Sequence, residues 1–223
     1  MEPIVVRVLG CLVALSLLVG CERLQEKGRI CLEQGDWERA CRFYGEAVDR
    51  DPSDLEARLG LGKALLQKSQ ALEADHRDKT GDWDAAVKEL AIATAARQDT
   101  GVSNALYMAR LQAAHALARD GDTAATLGRL DDLVKVWPGR TAARNFEAVL
   151  RYRRGEYEKA LGLFQENVRL DSGDVSAAFN LGLLCLHTGR PALATDYLLK
   201  AARLSPKDPE ILYWLGKSAG VGP

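Results

Sequence analysis

The sequence has few aromatic residues, only three histidines and almost no excess of charge of either sign. Phe, Trp and Tyr together make up 6% of the 223 residues, and 30 basic residues nearly balance 31 acidic ones, for a formal net charge of -1. A protein that binds nucleic acid through its phosphates needs a clustered basic surface, and no such cluster is evident here. Nucleic acid is therefore not an expected partner.

Several sequence patterns that accompany catalysis or metal binding are also missing. The sequence has no glycine-rich phosphate loop, no dinucleotide fingerprint and no Cys-x-x-Cys or His-Glu-x-x-His spacing. His76, His115 and His187 are far apart, so that none of them predicts a metal site. We therefore expect a protein that is not an enzyme, with no cofactor, no metal and no small-molecule substrate.

What is present begins with an apolar run at the N-terminus. Residues 8–19 are apolar or small apart from Ser16, and this run is shorter than the roughly 20 residues that span a bilayer. Polar residues follow directly from Glu22 onward. This order is typical of a signal peptide, whereas a retained membrane anchor in front of an ordinary cysteine is the alternative.

The junction Leu18-Val19-Gly20-Cys21 resembles the lipobox of bacterial lipoproteins. The resemblance implies that residues 1–20 are cleaved and that the Cys21 thiol carries a lipid, which with an N-terminal acyl chain gives lasting membrane attachment. It also implies a lipid-anchored protein of the bacterial cell envelope that faces the periplasm. In such lipoproteins an aspartate after the cysteine tends to retain the protein at the inner membrane, so that Glu22 favours the outer membrane.

The rest of the sequence is repetitive. A glycine that precedes an apolar helical pattern recurs at intervals of 46, 40, 34 and 34 residues, in Gly35-Asp36-Trp37, Gly81-Asp82-Trp83, Gly121-Asp122-Thr123, Gly155-Glu156-Tyr157 and Gly189-Arg190-Pro191. Self-similarity at such a spacing indicates stacked helical repeats. Glycine is favoured in these turns because a left-handed backbone ends the preceding helix.

The pattern resembles the tetratricopeptide repeat, a pair of helices in which a small residue allows a close helix crossing. The matching small residues are Gly28, Gly62, Ala114, Ala148, Gly182 and Gly216. The resemblance implies an all-α, right-handed superhelical solenoid of about five repeats, over residues 21–54, 55–100, 107–140, 141–174 and 175–208. Residues 209–223 are then a C-terminal capping helix and tail, with Leu212 and Leu215 directed inward and Lys217 outward.

Two segments depart from the 34-residue length. The second repeat carries an insertion at residues 69–80, which we place between its helices, and residues 101–106 form a linker before the third repeat. Insertions in such repeats lie on one face and often bind a partner, so that Asp75, His76 and Arg77 are candidate contacts. The alternative is a solvated helix extension and loop.

Cysteine and tryptophan side chains fit structural roles in the repeats. Cys31 and Cys185 take equivalent places that usually hold a buried apolar side chain, although a disulfide between Cys31 and Cys41 stays conceivable in an oxidising compartment. Trp37 and Trp83 begin second helices and are expected to be packing anchors.

The first helices of tetratricopeptide repeats line a concave groove. The resemblance places nine candidate partner-binding residues there: Lys63, Leu111, His115, Asn145, Tyr152, Phe179, Asn180, Leu183 and His187. The places where relatives that clamp a peptide carboxylate have Lys and Asn hold Leu, Phe and Val in most repeats, which favours an amphipathic helix or an extended apolar peptide as the ligand. For Leu111 and Phe179, packing between helices is the alternative role.

The architecture is similar to lipidated pilotins of type IV pilus assembly and to lipoproteins that scaffold outer-membrane protein assembly. The sequence therefore predicts a membrane-anchored scaffold that binds protein partners of the cell envelope, in secretin, pilus or outer-membrane assembly. A non-catalytic regulator or adaptor of a periplasmic enzyme, such as a peptidoglycan hydrolase, is the alternative.

Overall fold

The computed structural model describes residues 20–74, 81–96 and 99–220, without the side chains of residues 73–74 and 81–82. Within these ranges every regular element is a helix, which confirms the all-α prediction. The apolar run ahead of Gly20 and the candidate contacts Asp75, His76 and Arg77 lie outside the described residues.

The chain divides into two units, of which the first ends at Arg119 and the second begins at Asp120. In the first unit, α1 covers residues 20–33, followed by α2 (Trp37–Arg50), α3 (Leu55–Ala74), α4 (Gly81–Ala96) and α5 (Thr100–Arg119). In the second unit, the helices are α6 (Thr123–Val136), α7 (Thr141–Arg153), α8 (Tyr157–Leu170), α9 (Val175–His187), α10 (Pro191–Leu204) and α11 (Pro209–Ser218).

The helices begin and end where local chemistry requires. In the described ranges, aspartate side chains accept backbone N–H groups at the starts of six helices, which satisfies donors that have no partner within the helix. These residues are Asp36, Asp54, Asp99, Asp122, Asp174 and Asp208. At the turns, Gly35, Gly121, Gly155 and Gly189 have φ between 72° and 85°, as predicted from the repeat, because this left-handed backbone costs glycine little.

In the first unit, α2 packs against α3, α3 against α4, and α4 against α5. The buried Tyr44 ring of α2 lies between Gly28 of α1 and Gly60 of α3, and any side chain at either glycine would collide with it. The partly buried Arg58 of α3 pairs with the buried Glu89 of α4 at 2.5 Å, so that neither charge is left alone. Trp83 is fully buried and is a packing anchor, as predicted.

Cys31 packs with Ala40, Tyr44 and Ala64 in the core of this unit, and Cys41 lies against the same cluster. No disulfide joins the two cysteines. In the second unit, Cys185 is fully buried and its burial raises the pKa of the thiol, which keeps the sulfur protonated and apolar.

In the second unit, the core joins small residues of one helix to large residues of the next. Ala148 of α7, Phe164 of α8, Leu181 of α9 and Ala194 of α10 belong to one buried cluster.

The close crossings predicted at Gly62 and Gly182 are confirmed, because a β-carbon at either would lie 2.7 Å from the Cγ of a leucine on the following helix.

Two predicted boundaries are wrong. Residues 101–106 are the first turns of α5 and not a linker, because Asp99 caps the helix and Val102 and Leu106 are buried one turn apart. Residues 69–74 continue α3 instead of leaving it, since this stretch contains good helix formers and neither Gly nor Pro. Gly81 accordingly lies at the first position of α4 and not in a preceding turn.

Candidate functional site

Three helices of the second unit, α7, α9 and α11, form the walls of an open cleft. α9 contacts both α7 and α11, while α8 and α10 follow as the second helices of their pairs. All three helices carry basic residues or histidine in their last turn, which suits the partial negative charge of a helix C-terminus. The last turns of the three helices therefore bring Arg153, His187 and Lys217 to the walls of the cleft.

The cleft has two parts that share lining residues. One part, of about 220 Å³, is lined by Val149, Tyr152, Arg153, Phe164, Asn180, Leu183 and Leu184. The other, of about 460 Å³, is lined by Tyr152, Leu183, Leu186, His187, Trp214 and Lys217. Tyr152 and Leu183 belong to both parts and lie between them. We call the whole the α7–α9–α11 cleft.

Aromatic rings hold the Tyr152 side of the cleft in place. The Tyr152 ring centroid is 5.7 Å from that of Tyr157 and 5.4 Å from that of His187, whose ring meets it edge to face. His187 Nε2 lies 3.2 Å from the Tyr157 hydroxyl. These contacts position Tyr152 and His187 before any ligand arrives, which lowers the entropy lost on binding.

The α11 wall is built from Trp214 and Lys217. The Lys217 ammonium lies 4.8 Å from the centre of the Trp214 ring, within the range of a cation–π interaction. The Tyr213 ring meets Trp214 nearly at a right angle, with centroids 5.4 Å apart. The wall therefore presents a partly buried aromatic surface with a positive charge at its edge.

Most charged groups beside the cleft are already paired. Glu156 accepts hydrogen bonds from Lys159 and Arg151, and these bonds lower the pKa of its carboxyl to about 2. Arg154 pairs with the same carboxylate at 2.9 Å, and Arg190 pairs with Glu158 at 2.8 Å. Within the described part of the chain, no Asp or Glu is among the residues that line the cleft.

The structure brings together four of the nine groove residues predicted from the sequence. Tyr152, Asn180, Leu183 and His187 line the α7–α9–α11 cleft. Phe179 instead packs against the buried cluster of Ala178, Ala201 and Ile211. Its position follows from the turn of α9, which directs position 179 toward α11 and its neighbour Asn180 into the cleft.

Asn145 has a structural role in place of the predicted ligand contact. Its side-chain nitrogen donates to Asp174 at 3.0 Å, and its oxygen accepts from the buried Asn167 at 2.5 Å. Asn167 also accepts from Arg144, which is itself buried. This network joins α7, α8 and the start of α9. Both polar atoms of the Asn145 amide are therefore hydrogen-bonded within the protein.

The remaining groove candidates lie in the first unit. Lys63 is exposed on α3, His115 is half-buried on α5, and Leu111 is buried on α5 as packing between helices would require. Cys21, the predicted lipid attachment site, lies in α1 and is buried.

Sequence reasoning missed the α11 wall. Trp214 and Lys217 follow Asn180 and Leu183 by the 34-residue repeat length, so that the repeat register could have placed them in the groove. Lys217 is exposed, as the sequence predicts, and it also lines the cleft. The inward prediction for Leu212 is wrong, since Leu212 is 46% exposed and Ile211 is buried, because Ile211, Trp214 and Leu215 share one face of the helix.

Residues 216–220 spell Gly-Lys-Ser-Ala-Gly, the spacing of a hydrolase nucleophile elbow. An elbow needs a strand before the serine and a helix after it, whereas Ser218 lies at the end of α11. Its hydroxyl donates to the Leu215 carbonyl at 2.8 Å and accepts from Thr195 at 3.1 Å. The serine therefore closes the helix end.

No group of three His, Cys, Asp or Glu side chains that could hold a metal ion occurs among the described residues. Over the same part of the chain, no helix combines the length and hydropathy needed to cross a membrane.

Family models of the tetratricopeptide repeat match residues 22–64 and, in two overlapping copies, residues 111–175 and 168–209. Together these matches span more than half of the chain, which therefore belongs to the tetratricopeptide repeat family. Repeats of this family typically form non-catalytic scaffolds for protein–protein interaction, with the binding surface on stacked helix pairs.

A curated relative, the cellulose synthase 2 operon protein C of Komagataeibacter xylinus, is 31% identical over 195 residues. The match covers 82% of this chain but 14% of that protein, so that the chain spans about one-seventh of the relative's length.

Solved structures support the same fold at low sequence identity. MamA from Desulfovibrio magneticus RS-1 is 18% identical with a TM-score of 0.58, over 85% of this chain and 97% of that chain. A tetratricopeptide repeat protein from Parabacteroides merdae is 16% identical with a TM-score of 0.61, over 91% and 74%. YrrB, described as having an unusual peptide-binding site, is 22% identical with a TM-score of 0.54, over 83% and 86%.

Proposed function

We propose that this protein is a scaffold of the bacterial cell envelope that captures a partner protein in the α7–α9–α11 cleft. The observation that carries this proposal is the cleft itself, with Leu183 and Tyr152 at its centre and Trp214 on its far wall. Preformed apolar clefts with a few polar groups are the usual sites of ligand binding. An amphipathic helix or an extended segment would place spaced apolar anchors in the two parts of the cleft.

Membrane attachment through Cys21 is the second part of the proposal. It is supported by the junction at residues 18–21 and by the polar sequence that follows. Wild-type protein expressed in a bacterium should incorporate a labelled fatty acid, whereas Cys21→Ser should not. Equal labelling of both proteins, or none in either, would remove the anchor from the proposal without affecting the cleft.

The relative's name bears on the process that the scaffold serves. Because that relative is named for a cellulose synthase operon, we propose assembly of a cell-surface polysaccharide machine as the first process to test. Secretin, pilus or outer-membrane protein assembly, which the similarity to pilotins predicts, would use the same cleft and anchor.

The second candidate is a non-catalytic adaptor or regulator of an envelope enzyme, which the operon name also favours because it includes a synthase. The two functions differ in their readout. An adaptor changes the rate of its enzyme when the purified proteins are mixed, whereas an assembly scaffold changes which components come together at the membrane.

A matched pair of substitutions tests capture in the cleft. Leu183 is half-buried and lines both parts, so that Leu183→Glu should remove partner crosslinks in the native cell while the helical content is kept. Leu199→Glu is the control, since Leu199 is 39% exposed on α10 and lines neither part. Partner crosslinks that survive Leu183→Glu would show that the protein uses another surface.

A further inference from the structure

The charge of the α7–α9–α11 cleft is one-sided. Among the residues that the structure describes, its walls hold two cations, Arg153 and Lys217, and no carboxylate. Its floor is mostly apolar, formed by Val149, Phe164, Leu183, Leu184 and Leu186. A ligand that fits this surface needs apolar side chains for the floor and negative charge for the walls.

Arg153 differs from the arginines on either side of it. Arg151 pairs with Glu147 and Glu156 at 2.9 Å, and Arg154 pairs with Glu156 at 2.9 Å. Arg153 is exposed and makes no hydrogen bond or ion pair with any other residue that the structure describes. Of these three guanidinium groups, the one that lines the cleft is the one without a carboxylate.

Lys217 likewise makes no ion pair with a carboxylate among the described residues. Its ammonium lies over the Trp214 ring, which fixes its position but leaves its full charge in place. The helix C-termini nearby carry about half a negative charge each, which offsets only part of a lysine or arginine charge. The cleft is therefore an electropositive surface around apolar anchoring positions.

We infer that the cleft selects an acidic segment of a partner protein, with apolar anchors on its floor and Asp or Glu side chains at Arg153 and Lys217. This inference rests on the proposed function, because it describes the ligand of the same cleft. Charges at the edge of an interface act mainly on selectivity and on the rate of encounter. A basic segment with the same apolar anchors is rejected by repulsion from both cations.

The test is selection from a random peptide library with the purified chain, followed by affinity measurements on the enriched peptides. We expect enriched peptides to combine Leu, Ile or Phe with Asp or Glu. Replacing their acidic residues with Lys should weaken binding at least tenfold, and the preference should shrink at high salt.

Two double substitutions of matched charge complete the design. Arg153→Gln with Lys217→Gln should abolish the preference for acidic over basic peptides while apolar peptides still bind. Arg203→Gln with Lys207→Gln is the control, because both residues are exposed and neither lines the cleft. This control should keep the preference.

The outcomes separate the inference from the proposed function. Enriched peptides that are apolar but neutral or basic would overturn the acidic ligand and leave capture in the cleft intact. Selection of the same peptides by the wild type and by Leu183→Glu would instead contradict the cleft as the binding site.

Discussion

At Gly182 the α9 backbone comes so close to α10 that a β-carbon would lie 2.7 Å from Leu198 Cγ and 3.4 Å from the Ala194 carbonyl oxygen. Leu198 is fully buried and has little space into which it could move. Gly162, on α8 of the same unit, has nothing within 4 Å of its β-position. The two helical glycines thus differ in packing and not in backbone conformation.

Alanine at these two positions should act in opposite directions. Gly182→Ala should lower the free energy of unfolding by about 1–3 kcal/mol, because the added methyl group overpacks the α9–α10 crossing. Gly162→Ala should raise it by about 0.5–1 kcal/mol, since alanine is the better helix former and meets no neighbour. Urea unfolding followed by circular dichroism measures both. A stabilised Gly182→Ala variant would show that the crossing is looser than described.

The sequence could predict which small residues lie at helix crossings, which apolar residues enter the core and which glycines form turns, because the repeat register fixes their places. The roles of polar residues could not. Asn145 occupies a groove position by register, yet Asn167 and Asp174 engage its amide from other helices. That network depends on side chains 22 and 29 residues away, which no local pattern reveals.

At the scale of the element, the position of α11 decides whether the cleft has the wall that Trp214 and Lys217 form. Asp208 begins this helix by accepting from the N–H groups of Glu210 and Ile211, and Ile211 anchors it in the core. The helix has 10 residues, which is too short for stability without docking. Its cap and its one buried anchor therefore control the position of Trp214 and Lys217.

Removing the cap should loosen this wall alone. Asp208→Ala should cost about 0.5–2 kcal/mol of helix stability, so that hydrogen exchange becomes faster in α11 than in α7 or α9. Asp196→Ala is the control, because Asp196 is an exposed residue within α10 and caps no helix. Unchanged exchange in α11 after Asp208→Ala would show that packing, and not the cap, holds the helix.

Helix ends were predictable where a turn glycine marks them, and less so elsewhere. Gly35, Gly121, Gly155 and Gly189 each follow the end of a helix in the left-handed conformation, as the sequence predicts. The errors at residues 69–74 and 101–106 arose from a fixed repeat length, which treated helical extensions as insertions and linkers. Local helix propensity and the Asp99 cap decide those segments.

At the scale of the whole molecule, each unit carries part of the predicted groove. In the second unit, the structure places Tyr152, Asn180, Leu183 and His187 along one cleft. In the first unit, Leu111 is buried in the core, while Lys63 is exposed and His115 is half-buried. The pairing of α5 with α6 in one repeat, which the 107–140 boundary implies, stays a prediction.

The central claim is that a partner protein occupies the α7–α9–α11 cleft. Its most direct test is a photoreactive phenylalanine analogue placed at Tyr152 or, as a control, at Leu199, followed by irradiation of intact cells and mass spectrometry of the adducts. The account predicts one partner segment crosslinked from position 152 and not from position 199. The same adduct from both positions, or partner adducts from position 199 alone, would contradict it.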